Sequence, residues 1–388
     1  MQPIESSGSQ PGRPGNDPVP PNARQTDPAA MTGWKTQRWQ IGSAVLEAGR
    51  GGIARVARMS ARVLIEAGAR TDLFALVDTE AADVCGQRAR AFSGSKARFA
   101  AACHTAALTH DWFLYDAVGP ARAHPRLPGL KQPYGVWIHG IEVWNSLSPS
   151  RAQALRRADF VLSNSHFTLE RFQSLHFPLK NAHVCRLATE DNAPPAQMPR
   201  FEGPPTALLV GRSDKDNFRK GHAEVIAAWD LVTAEIPEAQ LLLVGGGDGL
   251  DLLHKKVAQS PASERIRVLG FVPEAEMPDI WARAHAFVQP SWKEGFGLVY
   301  VEAMRHGLPV IASVHDAGQE VNLDGKTGYN INLDDREALA ARIVQLLSNT
   351  AHARHLGTAG YALWQDQFRF SAFRSRLTDI LNRCTGCP

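Results

Sequence analysis

The chain of 388 residues contains no run approaching the ~18 consecutive apolar residues that a membrane-spanning helix needs, which argues against an integral helical membrane protein. Cysteine is scarce. Its five copies, an odd number at irregular spacing, argue against a disulfide framework and suit a reducing cytoplasm. Cys384 and Cys387 form a lone C-x-x-C, with no second pair to complete a metal site. Bulky apolar residues are nearly missing from residues 1–33, which are rich in proline and glycine instead. That segment is expected to be disordered, because it cannot bury enough surface to offset the entropy of ordering. It also lacks the basic start and apolar stretch of a secretory signal, and Met31 offers an alternative start.

A strong charge of either sign is missing too, the net value being +3. The distribution is uneven, however. Residues 34–190 hold 20 Lys and Arg against 12 Asp and Glu, whereas residues 191–388 hold 20 against 24. The first part is therefore expected to meet something anionic. Arg55, Arg58 and Arg62 are spaced to share one helix face. With Arg50 and the group Arg151, Arg156 and Arg157, they suggest a reversible contact with the anionic inner face of the cytoplasmic membrane. No nucleic-acid partner is expected.

From Arg38 onward, short apolar runs alternate with amphipathic stretches, the pattern of βαβ units and parallel sheets. The first unit reads WQIGSAVL as a strand, EAGRGG as a loop and IARVARMSARVLIEAG as a helix. Further strands are predicted in HDWFLYDA, YGVWIHG, ADFVLSNS and HVCRLA. Five prolines between Thr189 and Pro205 then mark a linker. The pattern restarts with ALLVGR, QLLLVGGG, IRVLGFV, AHAFVQPS and LPVIAS as strands. The fold class is thus α/β, with two Rossmann-like domains whose parallel sheets face an interdomain cleft. The boundaries are 1–33 disordered, 34–195 on the acceptor side and 204–365 on the donor side, with a C-terminal helix in 366–388 joining the first domain. Ligands of such sheets bind at the carboxyl ends of the strands.

One segment stands out, PSWKEGFGLVYVEAMRHGLPVIAS from Pro290 to Ser313. Glu294 lies in a loop at a strand end, and Glu302 follows eight residues later inside a helix. Gly295 and Gly297 allow close approach of a ligand to the backbone, and with Phe296 and Leu298 they open a helix whose free N–H groups suit a diphosphate. Two carboxylates so placed suit acceptance of hydrogen bonds from sugar hydroxyls. Arg212 follows a strand and Lys220 precedes a helix, so both are expected to aim cations at the cleft. Lys215 and Arg219 compete for the lysine role.

This segment resembles the signature of retaining glycosyltransferases of the GT-B fold, family GT4, which carry two glutamates separated by seven residues. The resemblance extends through V-G-R at 210–212, K-G-H at 220–222, V-L-G-F-V at 268–272 and D-G-K-T-G at 324–328. It implies that Glu294 contacts the donor sugar and Glu302 the ribose hydroxyls. It further implies that Arg212 and Lys220 hold the diphosphate and that the backbone near Phe271 and Val272 meets the base. Gly51 and Gly52 resemble the glycine loop that faces the diphosphate from the first domain, and His139 the histidine bordering donor sugar and acceptor. Asn164 and Ser165 end another strand and are read as lining the acceptor side.

The activity so implied is transfer of a hexose from a UDP- or GDP-sugar to a lipid-linked or saccharide acceptor, as in bacterial polysaccharide or glycoconjugate synthesis. It proceeds with retention of configuration, with the nucleotide-sugar as substrate, no cofactor and no metal. Two rivals stay open. A nicotinamide oxidoreductase is suggested by the glycines of LLLVGGGDG, but the sixth fingerprint position, counted from Gly245, is Leu250. A non-catalytic sugar-nucleotide-binding protein would share the fold without the chemistry.

Overall fold

The computed structural model describes residues 33–126, 128–129, 132–215 and 220–386. The proline-rich segment 1–32, Arg219 and Cys387 lie outside the described residues.

Strands β1 (Arg38–Ser43) and β2 (Arg70–Ala75) are followed by a small antiparallel hairpin, β3 (Asp83–Val84) and β4 (Gln87–Arg88). Then come β5 (Arg90–Ala91), β6 (Trp112–Tyr115), β7 (Tyr134–Ile138), β8 (Phe160–Ser163) and β9 (Ala182–Val184). Outside the hairpin these form one parallel sheet in the order β5-β2-β1-β6-β7-β8-β9. A second parallel sheet holds β10 (Thr206–Val210), β11 (Gln240–Val244), β12 (Ile266–Gly270), β13 (Ala286–Val288), β14 (Val310–Ser313) and β15 (Gly328–Ile331). Its order is β12-β11-β10-β13-β14-β15. Central strands such as YGVWI are buried at every position, because helices cover both faces of each sheet and no water-facing side needs a polar residue.

Strand order reverses between β1 and β6 in one sheet and between β10 and β13 in the other. Loops diverge above and below the sheet at such switch points and leave a crevice at the carboxyl ends. The Gly52–Glu66 helix closes the first crevice, laying Val56, Met59 and Val63 into the core, and the Leu298–Arg305 helix borders the second.

The chain crosses between the sheets twice, and the crossings touch. The Thr189 N–H donates to the Phe368 carbonyl at 2.9 Å, and Trp364 Nε1 donates to Thr189 Oγ1 at 3.1 Å. After the second crossing the Phe370–Cys384 helix returns to the first sheet and buries Phe370, Phe373, Leu377, Ile380 and Leu381. Phe373 stacks on Trp137 of β7, with ring centroids 6.2 Å apart, and Asn382 accepts from the indole of the fully buried Trp34 at 2.7 Å.

Candidate active site between the two sheets

Lys220, reached through the loop after β10, forms an ion pair with Glu294, which sits in the loop after β13. Their side chains are 32% and 16% exposed, so the pair lies at the mouth of the crevice. A further acidic group underlies it. The Asp316 carboxylate is buried and accepts the Glu294 N–H at 2.8 Å and the Gly318 N–H at 2.9 Å, pinning the loop that carries Glu294. Burial, and next the neighbouring Glu294 charge, push the Asp316 carboxyl up to about 8, while Lys220 opposes the rise. The sequence signal for Asp316 is slight, an aspartate two positions before the glycine that starts a short helix. Arg212 is elsewhere: its side chain is 78% exposed and turned to Asp214 at 3.0 Å. The structure brings Lys220 to Glu294 and does not bring Arg212. Lys215 is exposed, and its backbone N–H is held by Asp248 at 2.9 Å.

The glycines of this segment have a different cause from the one expected. A β carbon at Gly295 would lie 1.8 Å from the carbonyl oxygen of His139, so the loop after β13 presses directly on the end of β7. Gly297 takes φ +94° as the residue before the Leu298–Arg305 helix, and a β carbon there would strike the Tyr300 ring at 2.1 Å. Close approach therefore serves the chain's own packing. Phe296 is corrected as well: its ring is buried and meets Phe368 edge-on at 6.1 Å, so it supports the loop from below and presents no face to a donor.

From the first sheet, His139 is buried at the end of β7, and its Nε2 donates to the Asp116 carbonyl at 2.6 Å. That bond fixes the proton on Nε2 and, with the stacked Trp137 ring, holds the imidazole in place. The Asp116 carboxylate accepts from Ser43 Oγ at 2.6 Å and from the Ala44 N–H at 3.0 Å; burial, only partly offset by these bonds, pushes it up to about 7. Asp78 holds the next turn, accepting from Leu46 N at 2.8 Å and Glu47 N at 3.1 Å. Two buried carboxylates thus shape the loop leading to Gly51 and Gly52. Those glycines open the Gly52–Glu66 helix without a side-chain cap, opposite Leu298, whose Cδ1 would be 3.4 Å from a β carbon on Gly52. The helix after Gly297 is likewise uncapped by a side chain. Two helix starts with free N–H groups therefore face the same gap, an arrangement suited to a diphosphate.

Asn164 and Ser165 do not line an open acceptor wall. Both are buried and their polar atoms are committed: Asn164 Nδ2 donates to the His139 carbonyl at 2.9 Å, and Ser165 Oγ donates to the Gly295 carbonyl at 2.7 Å. Their work is to fasten the two sheets' loops together. Glu320 adds another fastening, its carboxylate accepting from the N–H groups of His166 at 3.0 Å and of Phe167.

The arginine face of the Gly52–Glu66 helix is also corrected. Arg58 forks onto Glu190 at 2.8 and 2.9 Å. Arg62 pairs with Glu66 and lies 3.8 Å over the Phe370 ring. Arg55 reaches across to Glu302, with Glu190 3.5 Å from its Nε. Shared spacing was right, but the face turns into the protein and not toward a membrane. Glu302, the carboxylate matched to ribose, is thus engaged by an arginine of the first sheet's layer. Phe271 presents a ring that is 76% exposed, while the adjacent Val272 packs on the core.

The sequence pattern of the family described as glycosyl transferases group 1 matches residues 192–363. The GDP-mannose-dependent alpha-(1-6)-phosphatidylinositol monomannoside mannosyltransferase of Mycolicibacterium smegmatis is 30% identical over 268 residues, 63% of this chain and 68% of that protein. O-antigen chain mannosyltransferase B of Escherichia coli is 33% identical over 167 residues, 41% of this chain and 42% of that one. Among solved structures, the sucrose-phosphate synthase of Thermosynechococcus elongatus superposes with a TM-score of 0.76 at 21% identity, covering 89% of this chain and 98% of that chain. With two parallel sheets apposed at their switch points and the two-glutamate segment in the gap, the chain belongs to the group 1 glycosyltransferases and has the GT-B fold.

Proposed function

We propose that the chain transfers a hexosyl group from a nucleotide-sugar to a lipid-linked or saccharide acceptor with retention of configuration, and that mannose from GDP-mannose is the first donor to test. The observation that carries this reading is the contact of Gly295 with the His139 carbonyl, which packs the loop of the Lys220–Glu294 pair against the end of the strand that carries His139. A donor sugar held there meets groups from both halves, and approach of the halves excludes water from the reactive carbon. As the bond to the diphosphate breaks, negative charge grows on the leaving group. Lys220, Arg212 once it leaves Asp214, and the N–H groups at Gly51–Gly52 and Gly297–Leu298 neutralise it. Fixed cations of the chain take the part a metal would play, so no cofactor is proposed. The exposed Phe271 ring and the backbone beside it offer a surface for the base.

The M. smegmatis relative's name supplies GDP-mannose and a phosphatidylinositol acceptor, and the O-antigen relative's name a saccharide chain. Among the described residues no helix is long and apolar enough to cross a membrane. The protein is proposed to act in the cytoplasm, and a lipid-linked acceptor would be met by peripheral contact. Contact with an anionic leaflet would start from Arg157, exposed at the end of the Pro149–Arg157 helix, because Arg55, Arg58 and Arg62 are occupied and Arg156, though exposed, lies 3.6 Å over the Phe177 ring. The test is a thermal-shift panel of GDP-, UDP- and ADP-sugars, followed by donor turnover. Stabilisation without any transfer or hydrolysis would return the non-catalytic reading.

A further inference from the structure

Glu302 makes its ion pair through Oε1, with Arg55 Nη1 as donor. A carboxylate has about four acceptor positions over two oxygens, and among the described residues Oε2 has no hydrogen-bond partner. Arg55 itself is not a loose surface cation. Its Nε faces Glu190 Oε2 at 3.5 Å, and Glu190 is gripped by both Nε and Nη2 of Arg58. The Arg58 Nη1 in turn donates to the Glu47 carbonyl at 2.9 Å, in the loop that runs to Gly51 and Gly52. Two arginines and two glutamates thus form a balanced chain from that loop, through the first crossing between the sheets, to the Leu298–Arg305 helix.

We infer that Arg55 is the positioning residue for Glu302: it holds Oε1 from the opposite half and thereby presents Oε2 to the vicinal hydroxyls of the donor's ribose. The inference rests on the reading of Glu302 as the ribose carboxylate. A bare glutamate on a helix flank loses rotamer entropy when it binds a diol, whereas one already clamped by a charge-assisted bond does not. Because Arg55 and Glu302 come from different halves, the presentation exists only when the halves are apposed. The network therefore couples nucleotide binding to approach of the two sheets.

The test uses isothermal titration with whichever of GDP and UDP the parent binds more tightly, together with donor kinetics. Arg55→Gln is expected to weaken nucleotide binding roughly tenfold and to raise the donor KM by a similar factor, with kcat at saturating donor changed by less than about threefold. Arg55→Lys should recover most of the loss. Glu302→Gln should weaken binding as well, and the double variant should be no weaker than Glu302→Gln alone, since a positioning residue has nothing left to position. Melting temperatures of all variants are measured in parallel, and Arg55→Lys provides the readout if Arg55→Gln is poorly folded. Nucleotide binding by Arg55→Gln that is unchanged or tighter overturns the inference, as does additivity in the double variant. Normal binding by Glu302→Gln, or no binding of either nucleotide by the parent, overturns the ribose reading beneath it.

Discussion

Replacing Glu294 by glutamine separates chemistry from folding. The perturbation keeps the size of the side chain and removes one charge from a cluster of three: Lys220, Glu294 and the buried Asp316. Two effects on stability oppose each other. The ion pair with Lys220 is lost, but both partners reach solvent, and such a pair is worth ~0–1 kcal/mol. Against this, the charge that helps hold the Asp316 carboxyl near 8 disappears. The melting temperature is therefore expected to move by no more than about 2–4 °C, the equivalent of ~1 kcal/mol in a unit of this size. Turnover should fall by about 10²–10³, the usual cost of one group that acts on developing charge.

The same substitution carries a pH signature. Folded Asp316 keeps its proton up to about 8, whereas the ordinary value is 3.8, so its contribution to stability is complete in acid and is lost as pH rises toward 8. Glu294→Gln lowers the folded value and ends that loss earlier. The variant should therefore gain on the parent in thermal melts as pH is raised from 6 to 8. Transfer within about tenfold of the parent at saturating donor, or a stability difference that shrinks with rising pH, would refute the reasoning.

Lys220→Ala and Arg212→Ala should each weaken nucleotide binding about 10–100-fold in calorimetry, the value of a hydrogen bond to a charged group, with Lys215→Ala close to neutral. A damaging Lys215→Ala beside a silent Lys220→Ala would overturn the placement of the cation. Glu302→Ala should cost ~1.5–3 kcal/mol of nucleotide affinity, and equal affinity would remove it from the ribose. Trp34→Ala should cost ~3–5 kcal/mol in chemical denaturation, because the indole is fully buried and donates to Asn382; a midpoint equal to the parent's would show that the Gly33–Thr36 turn is dispensable.

What the sequence displayed and what it hid divide along physical lines. Strands such as TALLV and YGVWI were legible because buried parallel strands are apolar without interruption, and the two-glutamate segment was legible because its spacing is local. Contacts between distant segments left no local trace. Gly295 read as room for a ligand, but the missing β carbon makes room for the His139 carbonyl, 156 residues earlier in the chain. The glycines of LLLVGGGDG read as a dinucleotide loop for the same reason. A β carbon at Gly245 or Gly247 would sit 2.1 Å from the carbonyl oxygen of Gly211 or Ser213, so these glycines let two loops of one sheet interlock. Arg55, Arg58 and Arg62 were correctly placed on one face, but periodicity does not say what that face meets. Arg62 has a local partner in Glu66, but Glu190 and Glu302, the partners of Arg55 and Arg58, lie beyond the reach of any local pattern.

The helix Phe370–Cys384 belongs spatially to the first sheet but is synthesised after the whole of the second. Until it arrives, Trp137 lacks Phe373, one of the two rings that stack on it, and Trp34 lacks its hydrogen-bond partner. On the ribosome, at ~5–20 residues per second, the first half therefore waits on the order of ten seconds with an unfinished apolar face. The second sheet has no such debt, since all its strands lie between Thr206 and Ile331. Assembly of the enzyme accordingly runs against the order of the chain: the half made later can finish first, and the half made first is sealed last.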